Sequence, residues 1–108
     1  MSGFVHLHVH TQYSINDGAI RLPQLCSEIA KREVKAVAMT DHGVMHGCVD
    51  FINKAKKAGI KPILGCEFNV SGIHPESPQK LYHLTAICRT LAGYKNALAL
   101  ISKANIEQ

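Results

Sequence analysis

The sequence predicts an α/β fold in which mostly parallel strands are covered by helices on their outer side. Short apolar runs of strand length alternate with longer stretches in which apolar residues recur every three or four positions. Such alternation is typical of parallel sheets, because the crossover between parallel strands usually contains a helix. Histidines and carboxylates also lie near the ends of the apolar runs, as expected where an active site forms at the carboxyl ends of parallel strands.

The first half of the chain is predicted to form two strand and helix pairs. The first strand covers residues 4–9, and the first helix covers residues 22–33, with a proline in its first turn and apolar residues at i, i+3, i+4 and i+7. A buried strand over residues 34–40 follows, because this run is apolar and contains β-branched residues. The second helix carries its apolar stripe over residues 45–55 and ends at Gly59.

The second half is predicted to contain two further strands and a helix. An apolar strand over residues 61–70 precedes a loop over residues 71–79, which holds a glycine and two prolines. A strand over residues 81–88 and a helix with its apolar stripe over residues 91–101 follow. The predicted order of elements is therefore βαβα followed by ββα.

The composition fits a small globular domain or part of a larger one. The chain has 108 residues, of which 46% are hydrophobic and 19% are charged, so it can bury a core. It contains no apolar run near the ~20 residues that a membrane span needs, and its first residues do not form a signal peptide pattern. We therefore expect a cytoplasmic protein without membrane contact.

The net charge and the cysteine content exclude fewer classes of function than the histidines do. The net charge of +4 permits nucleic-acid binding, but a solvated lysine-rich helix face explains it more simply. None of the four cysteines lies in a C-x-x-C pair, which argues against a cysteine zinc site. A cytoplasmic location argues against disulfides, so buried free thiols are expected.

Two histidines, His8 and His10, are separated by one residue at the end of the first predicted strand. Residues i and i+2 of a strand face the same side, so both imidazoles can reach one metal ion or two neighbouring ones. His6 shares this face, and three imidazoles are costly in a plain core because each ring nitrogen needs a partner. We interpret His8 and His10 as metal ligands and His6 as a supporting or packing residue.

Three more candidates precede or follow the second predicted strand. Asp17 belongs to an Asp-Gly turn, but its closeness to the histidine pair favours a ligand role. The Asp41 carboxylate can orient a ligand imidazole, bind a metal itself or cap the next helix. Capping alone would leave the adjacent His42 unexplained, so His42 is a candidate ligand.

Glu67 and His83 lie within the later strands. A charge in an apolar strand is rarely buried unless it is paired or ligating, so Glu67 is a candidate ligand whose carboxylate can bridge two metals. His83 shares a strand face with Leu81 and Thr85, where a core histidine is as plausible as a ligand. The mixed set suits Zn²⁺, Mn²⁺ or Fe²⁺ better than Ca²⁺, and such metals support hydrolysis of phosphate esters.

Five short motifs resemble those of the polymerase and histidinol phosphatase (PHP) superfamily, and the similarity runs over essentially the whole chain. They are His8-Val9-His10-Thr11, Tyr13-Ser14, Asp17-Gly18, Thr40-Asp41-His42-Gly43 and Gly65-Cys66-Glu67. Three stretches, at residues 4–10, 58–65 and 81–96, are most similar to the amino-terminal PHP domains of bacterial replicative DNA polymerase III alpha subunits.

The resemblance implies a distorted (βα)7 barrel that holds up to three divalent metals at the carboxyl ends of its strands, with Zn or Mn expected and Fe as a third option. Residues 1–108 would form the amino-terminal part of this barrel. The resemblance also implies that His8, His10 and Glu67 bind one metal, and that Glu67 bridges to a second metal held by His83.

By the same resemblance, Asp17 and His42 would bind the third metal with support from Asp41. The implied activity is metal-dependent phosphoester hydrolysis, including 3′–5′ exonuclease activity, within a polymerase that binds DNA and other replicase subunits. An incomplete barrel would also expose a sheet edge, so self-association is expected.

Two alternatives remain open from the sequence. One is a free-standing PHP phosphatase that acts on a small phosphate ester such as histidinol phosphate. The other is a structural or interaction module without catalysis. The stretches over residues 81–85 and 93–96 favour the polymerase domain over the phosphatase. The candidate metal ligands named above are all present, which counts against a structural module without catalysis.

Overall fold

The computed structural model describes residues 3–15 and 18–106. The described chain is α/β, as the sequence predicts, with three helices and three strands within these ranges. In chain order they are α1 (Leu22–Lys31), β1 (Ala36–His42), α2 (Cys48–Lys57), β2 (Lys61–Val70), β3 (Tyr82–Ile87) and α3 (Leu91–Ile106).

The three strands form one sheet in the order β1-β2-β3. β1 and β2 run parallel with α2 as their crossover, and His42 at the end of β1 is paired in register with Glu67. β3 runs antiparallel to β2, so the first residues of β3 meet the last residues of β2, and His83 lies opposite Asn69. This topology brings His42, Glu67 and His83 together at one end of the strands.

The predicted first strand over residues 4–9 is wrong as a regular strand. The segment runs beside β1, where the amide of Ala38 donates to the carbonyl of His6 and the amide of Thr40 donates to the carbonyl of Val9, both at 2.9 Å. These acceptors are three residues apart although the donors are two apart. The amide of Val9 donates instead to the side chain of Thr40 at 2.9 Å, so the regular ladder is interrupted as at a β-bulge.

The other predicted elements are confirmed, with small shifts at their ends. The helix predicted to reach residue 33 ends at Lys31, and Glu33 adopts a positive φ of 57° that a right-handed helix does not allow. α2 ends before Gly59, which has a φ of 76°, as the glycine predicts. α3 extends five residues beyond its predicted apolar stripe, to Ile106.

The hydrophobic core lies between the sheet and the helices α1 and α2. α1 buries Leu22, and α2 buries Phe51, both at 0% exposure. Removing a side chain of this size from water contributes about 1.5–3 kcal/mol to the stability of the folded chain. In the described chain α3 buries only Ala97, so it covers the sheet less completely. None of the described helices combines the length and apolar character that a membrane span requires.

Candidate metal centre

Glu67 is surrounded by four imidazoles at the edge of the sheet where β1 and β2 end. Its carboxylate is buried, and Oε2 lies 2.5 Å from Nε2 of His8. Oε1 lies 3.3 Å from Nε2 of His10, 3.4 Å from Nδ1 of His42 and 3.7 Å from Nδ1 of His83. A buried carboxylate requires a cation or several hydrogen-bond donors. The four imidazoles around Glu67 can either donate hydrogen bonds to it or bind a cation together with it.

The ligand atoms form two groups that share the Glu67 carboxylate. His8, His10 and Glu67 bring one ligand atom each within 4.8 Å of one another, and so do His42, Glu67 and His83. Imidazole nitrogens with one carboxylate oxygen are a donor set typical of zinc and related transition metals. The described residues therefore fit divalent metals, with Glu67 in the position of a bridge.

The two groups are enclosed on one side and open on the other. The side chains of His10 and His42 are 20% and 27% exposed, whereas those of His8 and His83 are 56% and 59% exposed. Each group contains one edge-to-face imidazole pair, with ring centroids 5.3 Å apart for His8 and His10 and 5.0 Å apart for His42 and His83. The open side leaves room for a ligand from solvent.

The structure gives Asp41 a partner that the sequence did not indicate. Asp41 is fully buried, and its carboxylate accepts hydrogen bonds from the backbone amide and the hydroxyl of Thr11, at 2.5 Å and 2.8 Å. The alternative of a helix cap is wrong, because Gly47 occupies the N-cap of α2 and no side chain caps it. Asp41 therefore anchors the backbone directly after His10.

The loop after His10 is held to both β1 and α2. Ser14 is buried and its hydroxyl oxygen accepts a hydrogen bond from the amide of His42 at 3.2 Å. Tyr13 donates to Asp50 at 2.9 Å, and this hydrogen bond raises the pKa of Tyr13. A hydrogen bond from Lys54 lowers the pKa of Asp50. Tyr13 and Ser14 thus have structural partners.

The predicted ligand Asp17 lies outside the described residues, and the predicted supporting residue His6 lies outside both groups. His6 is exposed, its ring packs edge-on against Phe4 at a centroid distance of 4.8 Å, and its carbonyl accepts from Ala38. The packing interpretation of His6 agrees with this geometry.

Sequence reasoning missed the contact of Asn69 with the site. Asn69 lies two residues after Glu67 on β2, and its Oδ1 lies 3.0 Å from Nε2 of His42. The available signal was its parity with Glu67 on the strand, which places both side chains on one face.

The cysteines contribute to packing. All four are free thiols, and Cys26, Cys48 and Cys66 are buried, as predicted, whereas Cys88 is only half-buried. Burial raises the pKa of Cys48 to about 12 and that of Cys66 to about 11. Burial therefore keeps both thiols in the neutral form at pH 7, which fits a packing role.

A profile of the PHP domain family matches residues 6–108. The chain belongs to the PHP domain family. DNA polymerase III subunit alpha of Campylobacter jejuni is 39% identical over 110 residues, which cover 99% of this chain and 9% of that protein. The subunit of Treponema pallidum is 41% identical, and an error-prone DNA polymerase of Symbiobacterium thermophilum is 43% identical. Their matches cover 96% and 97% of this PHP chain and 9% of each relative.

Two solved structures share the fold of this PHP chain. A metal-dependent phosphoesterase from Bifidobacterium adolescentis has a TM-score of 0.63 at 19% identity, with 91% of this chain and 33% of that chain covered. An amidohydrolase from Chromobacterium violaceum has a TM-score of 0.61 at 20% identity, with 93% and 33% covered. The described α/β arrangement is thus shared with about a third of each of these chains, which confirms the predicted fold class.

Proposed function

We propose that this PHP domain hydrolyses phosphoesters with divalent metals held by His8, His10, His42, Glu67 and His83. The observation that carries the proposal is the buried Glu67 carboxylate, whose oxygens face four imidazole nitrogens at 2.5–3.7 Å. A buried carboxylate beside four imidazoles is unfavourable without a cation, because the charge of Glu67 has been removed from water and has to be compensated.

Each residue of the proposed site has a separate role. Bound divalent metals supply Lewis-acid polarisation of a phosphoryl oxygen and lower the pKa of bound water to about 7. Glu67 supplies negative charge to both groups, and the imidazoles fix the positions of the ligand atoms. Asp41 holds the Thr11 backbone, which limits the movement of the adjacent His10. The exposed side at His8 and His83 admits the substrate.

Zn²⁺ and Mn²⁺ are the metals that we propose, with Fe²⁺ as a third option, because imidazole and carboxylate donors suit them. Asp17 is proposed as a ligand of a further metal, whereas His42 lies in the group with Glu67 and His83. Residues 1–108 are proposed to form part of a single PHP domain that binds up to three metals when complete.

We further propose that the chain works within a replicative DNA polymerase of the polymerase III alpha type, in the cytoplasm. The Campylobacter jejuni and Treponema pallidum relatives carry that name, and the Symbiobacterium thermophilum relative is a DNA polymerase of another kind. These relatives favour a polymerase domain over a free-standing phosphatase for a small ester. In this setting the substrate is DNA, the reaction is 3′–5′ exonucleolytic hydrolysis, and the partners are other replicase subunits.

Metal analysis combined with a hydrolysis assay tests the proposal. The chain is loaded with Zn²⁺ or Mn²⁺, and hydrolysis of bis-p-nitrophenyl phosphate and of 3′-labelled single-stranded DNA is measured. The His10→Ala variant should lose the metal of the group with His8 and Glu67, together with the activity. His74→Ala, which changes an exposed loop histidine, should keep both metals and the activity. Hydrolysis that survives in His10→Ala or after EDTA treatment would overturn the proposed role.

A further inference from the structure

Asn69 connects the central strand to a candidate ligand on the neighbouring strand. It lies on the same face of β2 as Glu67 and is the register partner of His83 on β3. Its Oδ1 is 3.0 Å from Nε2 of His42, while Nδ1 of the same ring faces Oε1 of Glu67 at 3.4 Å. The two ring nitrogens of His42 therefore face two different neighbours.

This arrangement distinguishes the two tautomers of His42. A neutral imidazole carries one N–H, and a hydrogen bond to an amide oxygen favours that N–H on the nitrogen facing the oxygen. An N–H at Nε2 leaves the lone pair on Nδ1, directed toward the Glu67 carboxylate. The lone pair on Nδ1 and the carboxylate oxygen, 3.4 Å apart, are both available to one cation placed between them.

We infer that Asn69 is a positioning residue that holds His42 in the Nε2–H tautomer and so presents Nδ1 to a divalent metal shared with Glu67 and His83. The inference rests on the proposed function for its consequence, which is metal binding. The placement of the ring proton itself does not depend on a metal. Ligand histidines commonly donate their second ring N–H to an oxygen in this way, and loss of that oxygen typically weakens metal binding 10- to 100-fold.

Nitrogen-15 NMR of the metal-free chain tests the tautomer directly. The full chain is labelled at histidine and measured near pH 8.5, well above the ordinary histidine pKa of about 6.5. His42 should show the Nε2–H pattern in the wild type and a mixture of tautomers in Asn69→Ala. Asn69→Asp should restore the pattern, because the carboxylate keeps an acceptor at the same position. Asn53→Ala, which removes an exposed asparagine on α2, is the matched control and should leave the pattern unchanged.

Zinc titration of the same proteins by calorimetry tests the consequence. Asn69→Ala should weaken zinc binding to the group of His42, Glu67 and His83 by 10- to 100-fold, and Asn69→Asp should recover it. An unchanged His42 tautomer in Asn69→Ala would overturn the inference, and so would unchanged zinc affinity. A wild-type chain that binds no zinc would overturn the proposed function instead, and the NMR comparison would still decide whether Asn69 selects the tautomer.

Discussion

Asp41 and Thr11 are joined by two hydrogen bonds although thirty residues separate them in the chain. Both residues are completely buried. The Asp41 carboxylate at the end of β1 accepts from the backbone amide and the hydroxyl of Thr11, which follows His10 directly. Through this pair, β1 holds the irregular segment that carries His8 and His10 near Glu67.

Replacing Asp41 with alanine should lower the free energy of unfolding by about 1–3 kcal/mol, because the amide of Thr11 would be left buried without its acceptor. Urea denaturation measures this loss. Thr11→Val removes only the hydroxyl and should cost less than Asp41→Ala. In the double variant the two losses should not add, since both act on one contact. Unchanged stability in Asp41→Ala would show that the contact contributes nothing.

Replacing Glu67 with alanine should abolish metal binding at both groups, whereas replacing His83 should affect one group only. The reason is that Glu67 supplies an oxygen to each group, and His83 belongs to the group with His42. The measurement is the number of zinc ions per chain, by elemental analysis after dialysis. His74→Ala should retain the wild-type number. Equal losses in Glu67→Ala and His83→Ala would contradict a bridging carboxylate.

The stability of the chain should fall as the pH rises from about 8.5 toward 11. Burial raises the pKa of Cys48 to about 12 and that of Cys66 to about 11, whereas an unfolded thiol titrates near 8.5. Below pH 8.5 both thiols are protonated in the folded and in the unfolded chain, so they contribute no pH dependence to the free energy of unfolding. Above it only the unfolded state releases these protons, so each thiol removes up to about 1.4 kcal/mol per pH unit.

The double variant Cys48→Ala with Cys66→Ala provides the comparison for this alkaline loss. Its absolute stability is expected to be lower because two buried side chains are shortened. The slope of its unfolding free energy against pH between about 9 and 11 should be smaller than in the wild type. Identical slopes would exclude the two thiols as the cause.

Two glycine-to-alanine changes should have opposite effects on thermal stability. A Cβ at Gly65 would lie 2.4 Å from the carbonyl oxygen of Ala86 in the neighbouring strand, so the backbone must shift, at a cost of about 1–3 kcal/mol. At Gly93 in α3 the nearest atom would lie 3.7 Å away, and alanine is favoured over glycine inside a helix by about 0.5–1 kcal/mol. Calorimetry should show a lower Tm for Gly65→Ala and a higher Tm for Gly93→Ala.

The chain should self-associate as its concentration rises. In the described part of the chain β3 pairs with β2 only, which leaves its other edge available. Leu84 on β3 and Leu91 at the start of α3 are 54% and 68% exposed. An open edge beside exposed apolar side chains is a template for pairing with a second copy.

Sedimentation velocity over a range of concentrations measures this association. Leu84→Lys should weaken it, because a charge at the edge opposes pairing. Ile106→Lys, at the exposed end of α3, should behave like the wild type. A monomer at every concentration in the wild type would rule the prediction out.

Local patterns predicted most of the helices and strands. The bounds of β2 match the predicted strand, because the strand lies between a turn at Gly59 and a loop that begins at Ser71-Gly72. The residues of α1 and α2 that face the core follow from helical periodicity alone. The segment over residues 4–9 was not predictable to the same degree, because its hydrogen bonds go partly to the side chain of Thr40.

For the candidate site, too, the sequence predicted one part and the tertiary structure added another. By itself the sequence determined the α/β class, the PHP motifs and the residue types that suit a metal, since these depend on spacing within one strand and on chemistry. Only the tertiary structure decided that Asp41 holds Thr11 and that Asn69 contacts His42. Those contacts join positions 30 and 27 residues apart in the chain, and only strand register and packing bring such positions together.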